Sequence, residues 1–435
     1  MIRRASPDSV APPTSRKHWL DWQRGLAVLF MVEVHILDAW IAAGARTGHE
    51  RAYDLLMFLG GLAAPGFLYM AGLSQALADE AHARKGADPA VRRRAAMKRG
   101  LWLLGVAYLV RMFSVLSGGA WSWGAGLPYL LGVDVLSVAG FGLLLAISTD
   151  AWEPRDWRRP VALGLGLVLV SFFWRGAWRW GSWHEVFKVD VLNVIAVGMI
   201  LSAFLAVGRP RVVGAVLTGA VALLVAFATP WLAVKLGYRD QPEFIARLAA
   251  DPIAKLADVP WAYVYGQWPR SQFRLLNWVA FLLAGAAVAP LATGRSRPLL
   301  FLAIGAGIFG VAKVIDPLIV LPSTDPMFWW INAPSWFLMR LAIHVGLTGA
   351  LMALPELVVG GLRWLSTLGR QSLFAYIVTV ELTYGVFAAS LRKRLSFHGV
   401  VVGIVLMAVA AWGLSVGWER LQRWLRERRA VGKAA

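Results

Sequence analysis

The chain contains no cysteine, which excludes disulfides, thiolate metal sites and a cysteine nucleophile. Charge is scarce too: Asp, Glu, Lys and Arg make up 16% of the 435 residues, against about a quarter in a soluble domain. Acidic residues are the scarcer sign, 25 against 44 basic ones, for a net charge of +19. The basic excess falls between long apolar runs, where a membrane protein keeps its topological signals, so nucleic acid is not the expected partner. No glycine-rich loop ending in Lys-Ser/Thr occurs, and no His-Glu-x-x-His helix, so neither a phosphate loop nor a zinc protease is indicated. No ligand spacing calls for a metal. What is abundant is apolar: 58% of the residues, with 23 tryptophans suited to the two interfaces of a bilayer.

Apolar stretches recur at roughly 24–44, 54–78, 97–116, 127–148, 160–175, 189–208, 211–236, 273–294, 297–320, 331–354, 366–390 and 398–418. Several reach the ~20 residues that a helix needs to cross the hydrocarbon core. The expected fold is therefore all-α, a polytopic transmembrane bundle of about 10–12 spans. The basic, proline-rich start (residues 1–18) reads as a tail rather than a secretory signal. One membrane domain over 19–418 follows, then a second basic tail over 419–435. Segment 79–99 holds seven Lys/Arg, and Arg155, Arg158, Arg159, Arg209, Arg211, Arg295 and Arg297 fall on the same side of the alternation. This asymmetry places both termini in the cytoplasm of a cell with an inner membrane. Arg392, Lys393 and Arg394 are exceptions, falling on the outer side. The longest loop, 237–272, is expected outside, with an amphipathic helix within it. WSWG followed by VDVLSV (121–138) and WRWG followed by VDVLNV (178–194) form a partial repeat. It is either an internal duplication or a chance likeness of two helix starts.

Ionisable groups inside a membrane are expensive, so each one needs a reason. The first span, LDWQRGLAVLFMVEVHILDAW, is the densest, with Asp21, Arg24, Glu33, His35 and Asp38. At 100° and 1.5 Å per residue, Arg24 and His35 lie within about 20° of one face and about 16 Å apart. Asp38 follows almost one turn further, where it can orient the imidazole. The structural alternative is that Arg24 snorkels while His35 and Asp38 satisfy each other. A functional stripe suits a reaction that joins two compartments. An anionic donor docks its phosphates on Arg24 and on the basic loop with Arg92, Arg93 and Arg94. His35 then takes a proton from an acceptor arriving from the far side. Lys313 with Asp316, and Arg340 with His344, sit at helical spacing as ion or hydrogen-bond pairs. Asp134 and Asp190 suit helix N-termini. Arg111, Asn193, Arg370 and Glu381 are further candidates within or beside apolar stretches.

The blocks LDWQRGLAVLFMVEVHILDAW, FLGGLAAPGFLYMAGLS, VDVLNVIAVG, FRLLNWVAFLLAGAAVAP and LGRQSLFAYIVTVELTYG resemble, in this order, the bacterial DUF1624 membrane proteins. That family is related to the catalytic region of heparan-α-glucosaminide N-acetyltransferase and, more distantly, to the acyltransferase-3 membrane family. The resemblance spans roughly 17–390 and implies a transmembrane acyltransferase. Acyl-CoA, in the form of acetyl-CoA, would bind from the cytoplasm, and a glycan or glycolipid acceptor from the far side. Arg24 and His35 match the Arg-x10-His pattern of the acyltransferase-3 relatives, and Asp38 matches the HxxDAW form of the bacterial branch. The chain departs from the pattern at Thr379, where many bacterial members carry a histidine. VDVL occurs twice, so the family position is either Asp134 or Asp190. The lysosomal branch places its histidine after the first helix, which points to His49.

The reading that emerges is acyl transfer with His35 as general base. N- or O-acylation, and direct transfer or an acyl-histidine intermediate, stay open. The alternative is a proton-coupled transporter or flippase, which would use Lys313/Asp316 and Arg340/His344 as its buried charges.

Overall fold

The computed structural model describes residues 17–118, 191–235, 275–293, 297–321, 332–384, 388 and 390–434. Asp134, Asp190, both WSWG-type motifs, the stretch 160–175 and the loop 237–272 lie outside the described residues, as does the side chain of Arg111. Among the described residues the chain is helical throughout, apart from a single isolated bridge between Ile41 and Leu395. In chain order the helices are α1 (His18–Trp40), α2 (Glu50–Gly60), α3 (Ala63–Arg84), α4 (Pro89–Gly118), α5 (Val191–Leu205), α6 (Arg211–Lys235) and α7 (Leu275–Val288). Then come α8 (Pro298–Ile315), α9 (Pro334–Ala353), α10 (Glu356–Gly361), α11 (Arg363–Arg370), α12 (Ser372–Tyr384) and α13 (Phe397–Ala434).

Six segments among the described residues are long and apolar enough to cross a bilayer: Glu50–Arg84, Arg211–Leu232, Leu275–Ala292, Pro298–Leu318, Pro334–Ala353 and Phe397–Arg428. The protein is thus a multi-pass membrane protein. Helix α1 is not in that set because of its charges. With 23 residues it is about 35 Å long, enough to span, and it packs at the centre of α2, α3, α9, α11, α12 and α13. Asp21, Gln23 and Glu33 on it are buried against neighbouring helices, while Asp38 near its end is exposed.

The helix boundaries depart from the apolar stretches where packing intervenes. The stretch 54–78 is two helices, α2 and α3, joined at Gly61 and Leu62. The stretch 366–390 breaks at Gln371, between α11 and α12. The fourth helix starts at Pro89, a residue suited to a first turn because it has no amide hydrogen to leave unsatisfied. Helix α13 carries on beyond the apolar stretch 398–418 to Ala434.

Among the described residues two large apolar clusters pack around α1, beside a small one at Trp22, Leu351 and Leu365. One, between α3, α7 and α9, includes Leu68, Tyr69, Phe281, Phe337 and Trp336. The other joins α1 to α12 and α13 through Val28, Ile36, Leu37, Trp40, Ala375 and Val400. In lipid such cores hold by close van der Waals packing, which small residues permit. Helices α3 and α7 touch backbone to backbone at Gly72 and Gly285. A Cβ on Gly285 would lie 2.0 Å from the Tyr69 carbonyl oxygen, and one on Gly72 1.8 Å from that of Leu282. Helix α8, by contrast, leaves Leu299, Val311 and Val314 exposed, as a lipid-facing helix does.

The helices share a basic end. There Arg84 and Arg211 pair with Glu80 at 2.6 and 3.2 Å, Arg92 with Asp79 at 2.9 Å, and Arg370 with Glu419 at 3.0 Å. At the opposite end the segment before α13 closes over the C-terminus of α1. The backbone amides of Lys393, Arg394 and Leu395 donate to the carbonyls of Ala39 and Trp40 at 2.9–3.0 Å. Lys393 holds a left-handed φ of 54° to do so. The cationic triplet that broke the loop-charge rule therefore sits on the negative end of the α1 dipole, where positive charge is favourable.

Candidate functional site

The site grows from the period of α1. Arg24, nearly two turns into the helix, donates to the Ser74 hydroxyl on α3 and lies 3.9 Å from the Asp21 carboxylate. Three turns further, half-buried His35 meets Tyr384 at the end of α12, with Nδ1 3.1 Å from the phenolic oxygen. The two rings stand edge to face, 5.4 Å between centroids and 83° between planes. The Tyr384 hydroxyl donates to Asp38 Oδ2 at 3.1 Å. Asp38 is exposed, and the Lys393 ammonium contacts its carbonyl and stands 4.0 Å from its carboxylate. Imidazole and carboxylate share the α1 face as expected, but their contact runs through Tyr384. The sequence reading missed that residue. Its one signal was its place in the ELTYG block, where a tyrosine at the end of an apolar helix resembles any interfacial aromatic.

On the other side of α1 lies a second polar cluster. Gln23, 1% exposed, donates to the His344 carbonyl at 3.0 Å and accepts from Thr348 at 2.8 Å. The Tyr69 hydroxyl is 3.2 Å from that of Thr348. The His344 ring stacks on Tyr69 at 6.2 Å, in space that Gly66 leaves open: a Cβ there would lie 2.9 Å from the His344 Cε1. Arg340 does not pair with His344. Its guanidinium covers the Trp336 ring at 4.0 Å and donates to the Gly61 carbonyl at 3.3 Å, filling the α2–α3 break. Glu33 faces Gly60 with both carboxylate oxygens buried, and neither finds a hydrogen-bond partner among the described residues. Gln23, Tyr69 and Thr348 were not foreseen, because none of them carries a charge that would single it out within an apolar stretch.

The remaining candidates divide between binding-competent and structural positions. Arg92 is held by Asp79, and Arg93 donates to the Val207 carbonyl at 3.0 Å, while Arg94 is exposed. Lys17, near Glu80, Arg84 and Arg211 at the basic end, contacts the Ala292 carbonyl. Burial holds its ammonium below the usual lysine range, against the opposing pull of Glu80. Arg370 binds Glu419 and the Thr367 hydroxyl, tying α11 to α13. Asn193 is buried on α5, and Glu381 is half-buried on α12. Thr379 is fully buried on the same helix. Lys313 lies over the Phe309 ring while Asp316 accepts from Ser335, so this spacing does not join the two to each other. His49 stacks on Phe397 at 4.6 Å, with His398 edge-on at 5.0 Å. Among the described residues no three His, Asp or Glu side chains converge as a metal site would require.

Residues 16–121 match the family described as heparan-alpha-glucosaminide N-acetyltransferase, catalytic. The matched region is about a quarter of the chain, and it begins just before α1 and includes Arg24, His35, Asp38 and His49. No curated protein and no solved structure matches the chain.

Proposed function

We propose that the protein is a membrane-embedded acyltransferase that moves an acyl group, acetyl in the first instance, from cytoplasmic acyl-CoA to a sugar-containing acceptor on the far side of the membrane. One observation carries this reading. The segment similar to the acetyltransferase catalytic family is the one that contains α1 and its stripe of Arg24, His35 and Asp38. The positive-inside rule supports a cytoplasmic position for the basic end. Arg24 and exposed Arg94 supply guanidinium groups for the phosphates of the donor, with Arg92 and Arg93 shaping the loop between α3 and α4. From Arg24 to His35 the rise is about 16 Å, which the extended pantetheine arm of a CoA thioester can bridge. The acceptor arrives at the opposite end, beside Asp38. His35 takes the proton from its amine or hydroxyl as that atom attacks the thioester carbonyl, and returns it to the departing thiolate.

The test is transfer of labelled acetyl from acetyl-CoA to a glycan extract by the purified protein in liposomes. His35→Ala is expected to lower kcat by about 10²–10⁴, the usual worth of a general base. Wild-type turnover by that variant would overturn the catalytic assignment. The family match lends no support to the transporter alternative. Proton-driven uptake by proteoliposomes in the absence of any acyl donor would restore it.

A further inference from the structure

The Tyr384 hydroxyl has one hydrogen and, among the described residues, two neighbours that could take it: Nδ1 of His35 and Oδ2 of Asp38, each at 3.1 Å. An ionised carboxylate can only accept, and a hydrogen bond to it is roughly twice as strong as one between neutral groups. The hydroxyl hydrogen therefore goes to Asp38, and what the phenolic oxygen offers His35 is a lone pair. The imidazole satisfies it only by carrying its proton on Nδ1.

We infer that Tyr384 is the positioning residue of the site. It holds His35 in the Nδ1–H tautomer and leaves the Nε2 lone pair as the base. The inference rests on the proposed acyl transfer for its consequence in catalysis, but not for the tautomer itself. The edge-to-face packing of the two rings fixes the imidazole plane, and the 3.1 Å contact fixes its rotation about that plane. Asp38 acts at one remove. Through the hydroxyl it stabilises the imidazolium formed when Nε2 accepts the acceptor's proton, and the Tyr384–Asp38 bond is unchanged once that proton passes to the CoA thiolate. The arrangement performs, through an intervening phenol, what a carboxylate does directly in a Ser-His-Asp triad. It also explains why an exposed aspartate, which does not touch the imidazole itself, lies on the same stripe.

The chain has seven histidines, few enough for residue assignment by His35→Gln subtraction in ¹⁵N-histidine-labelled protein. Solid-state NMR of protein in liposomes should show His35 with Nδ1 protonated and Nε2 bare. Tyr384→Phe keeps the ring and removes the lone pair, and should shift His35 toward Nε2–H, the tautomer an unconstrained histidine side chain prefers. In the transfer assay the same variant should lose kcat by about 10²-fold, the lower end for a general base, with KM for acetyl-CoA unchanged. A wild-type His35 protonated on Nε2, or a tautomer unaltered in Tyr384→Phe, overturns the inference. A wild-type protein without transfer activity but with the Nδ1–H signature overturns the proposed function and upholds the positioning role. Should Tyr384→Phe fold poorly, Asp38→Ala reads the same bond from its other end. The hydroxyl is then released to donate to Nδ1, and Nε2–H is again expected; persistence of Nδ1–H there counts against the inference.

Discussion

Replacing Gly285 with alanine puts a methyl group where two helix backbones meet. The added carbon would stand 2.0 Å from the Tyr69 carbonyl oxygen, 2.8 Å from its carbon and 3.1 Å from the Leu73 nitrogen. None of these atoms belongs to a side chain that can rotate aside, so α3 and α7 must part by roughly 1 Å before the contact becomes tolerable. Overpacking of this kind costs about 1–3 kcal/mol, and the gain of alanine over glycine in a helix returns up to about 1 kcal/mol. A net loss on the order of 1–2 kcal/mol is expected, read as a lower unfolding temperature in detergent at fixed scan rate. The matched control is Gly413→Ala on α13, where nothing lies within 4 Å of the new methyl and only the propensity gain remains. The loss should reach the site as well, because α3 carries Ser74, the partner of Arg24, and Gly66, the seat of His344. A Gly285→Ala protein as stable as the Gly413→Ala control would refute the close helix crossing and the reasoning built on it.

Thr348→Val keeps the shape of the side chain but strips the hydroxyl between Gln23 and Tyr69. Inside a membrane bundle the loss should be about 0.6–1.7 kcal/mol, visible as a lower melting temperature that Thr348→Ser largely restores; an unchanged melting temperature would show that the cluster is not a joint. Arg370→Met breaks a partly exposed pair with Glu419. It should cost no more than about 1 kcal/mol, and less at high salt, since water screens such a pair; a larger, salt-independent loss would mean that this arginine does more than tie α11 to α13.

How far the site could be read in advance is clearest on α1. The alignment of Arg24, His35 and Asp38 is a property of one helix, and helical period alone puts them on one face. The basic end was equally legible, because loop charges follow membrane topology without reference to tertiary contacts. The link between His35 and Asp38 was not. It needs Tyr384, 349 residues away along the chain, and no local pattern marks which interfacial tyrosine reaches back to α1. Arg340 and His344 show the converse. Their spacing suggested a pair, yet α2 and α3 bring each a better partner, the Gly61 carbonyl for one and the Tyr69 ring for the other. The break of 54–78 into two helices was hidden for a related reason: glycine and leucine at 61–62 are tolerated in a span, and the contact that occupies the turn comes from Arg340, far along the chain.

By itself, then, the amino-acid sequence determined a bundle of membrane helices, the polarity of its two ends and a charged stripe on the first helix. All three follow from hydrophobicity and period, quantities summed over neighbouring residues. Only the tertiary structure decided which side chains complete that stripe, that Lys393 and its neighbours cap α1, and that a second polar cluster lies behind it. Those outcomes depend on backbones approaching closely at single glycines and on hydrogen bonds between distant helices, and a hydrogen bond has its strength only at a distance and an angle that packing alone can supply.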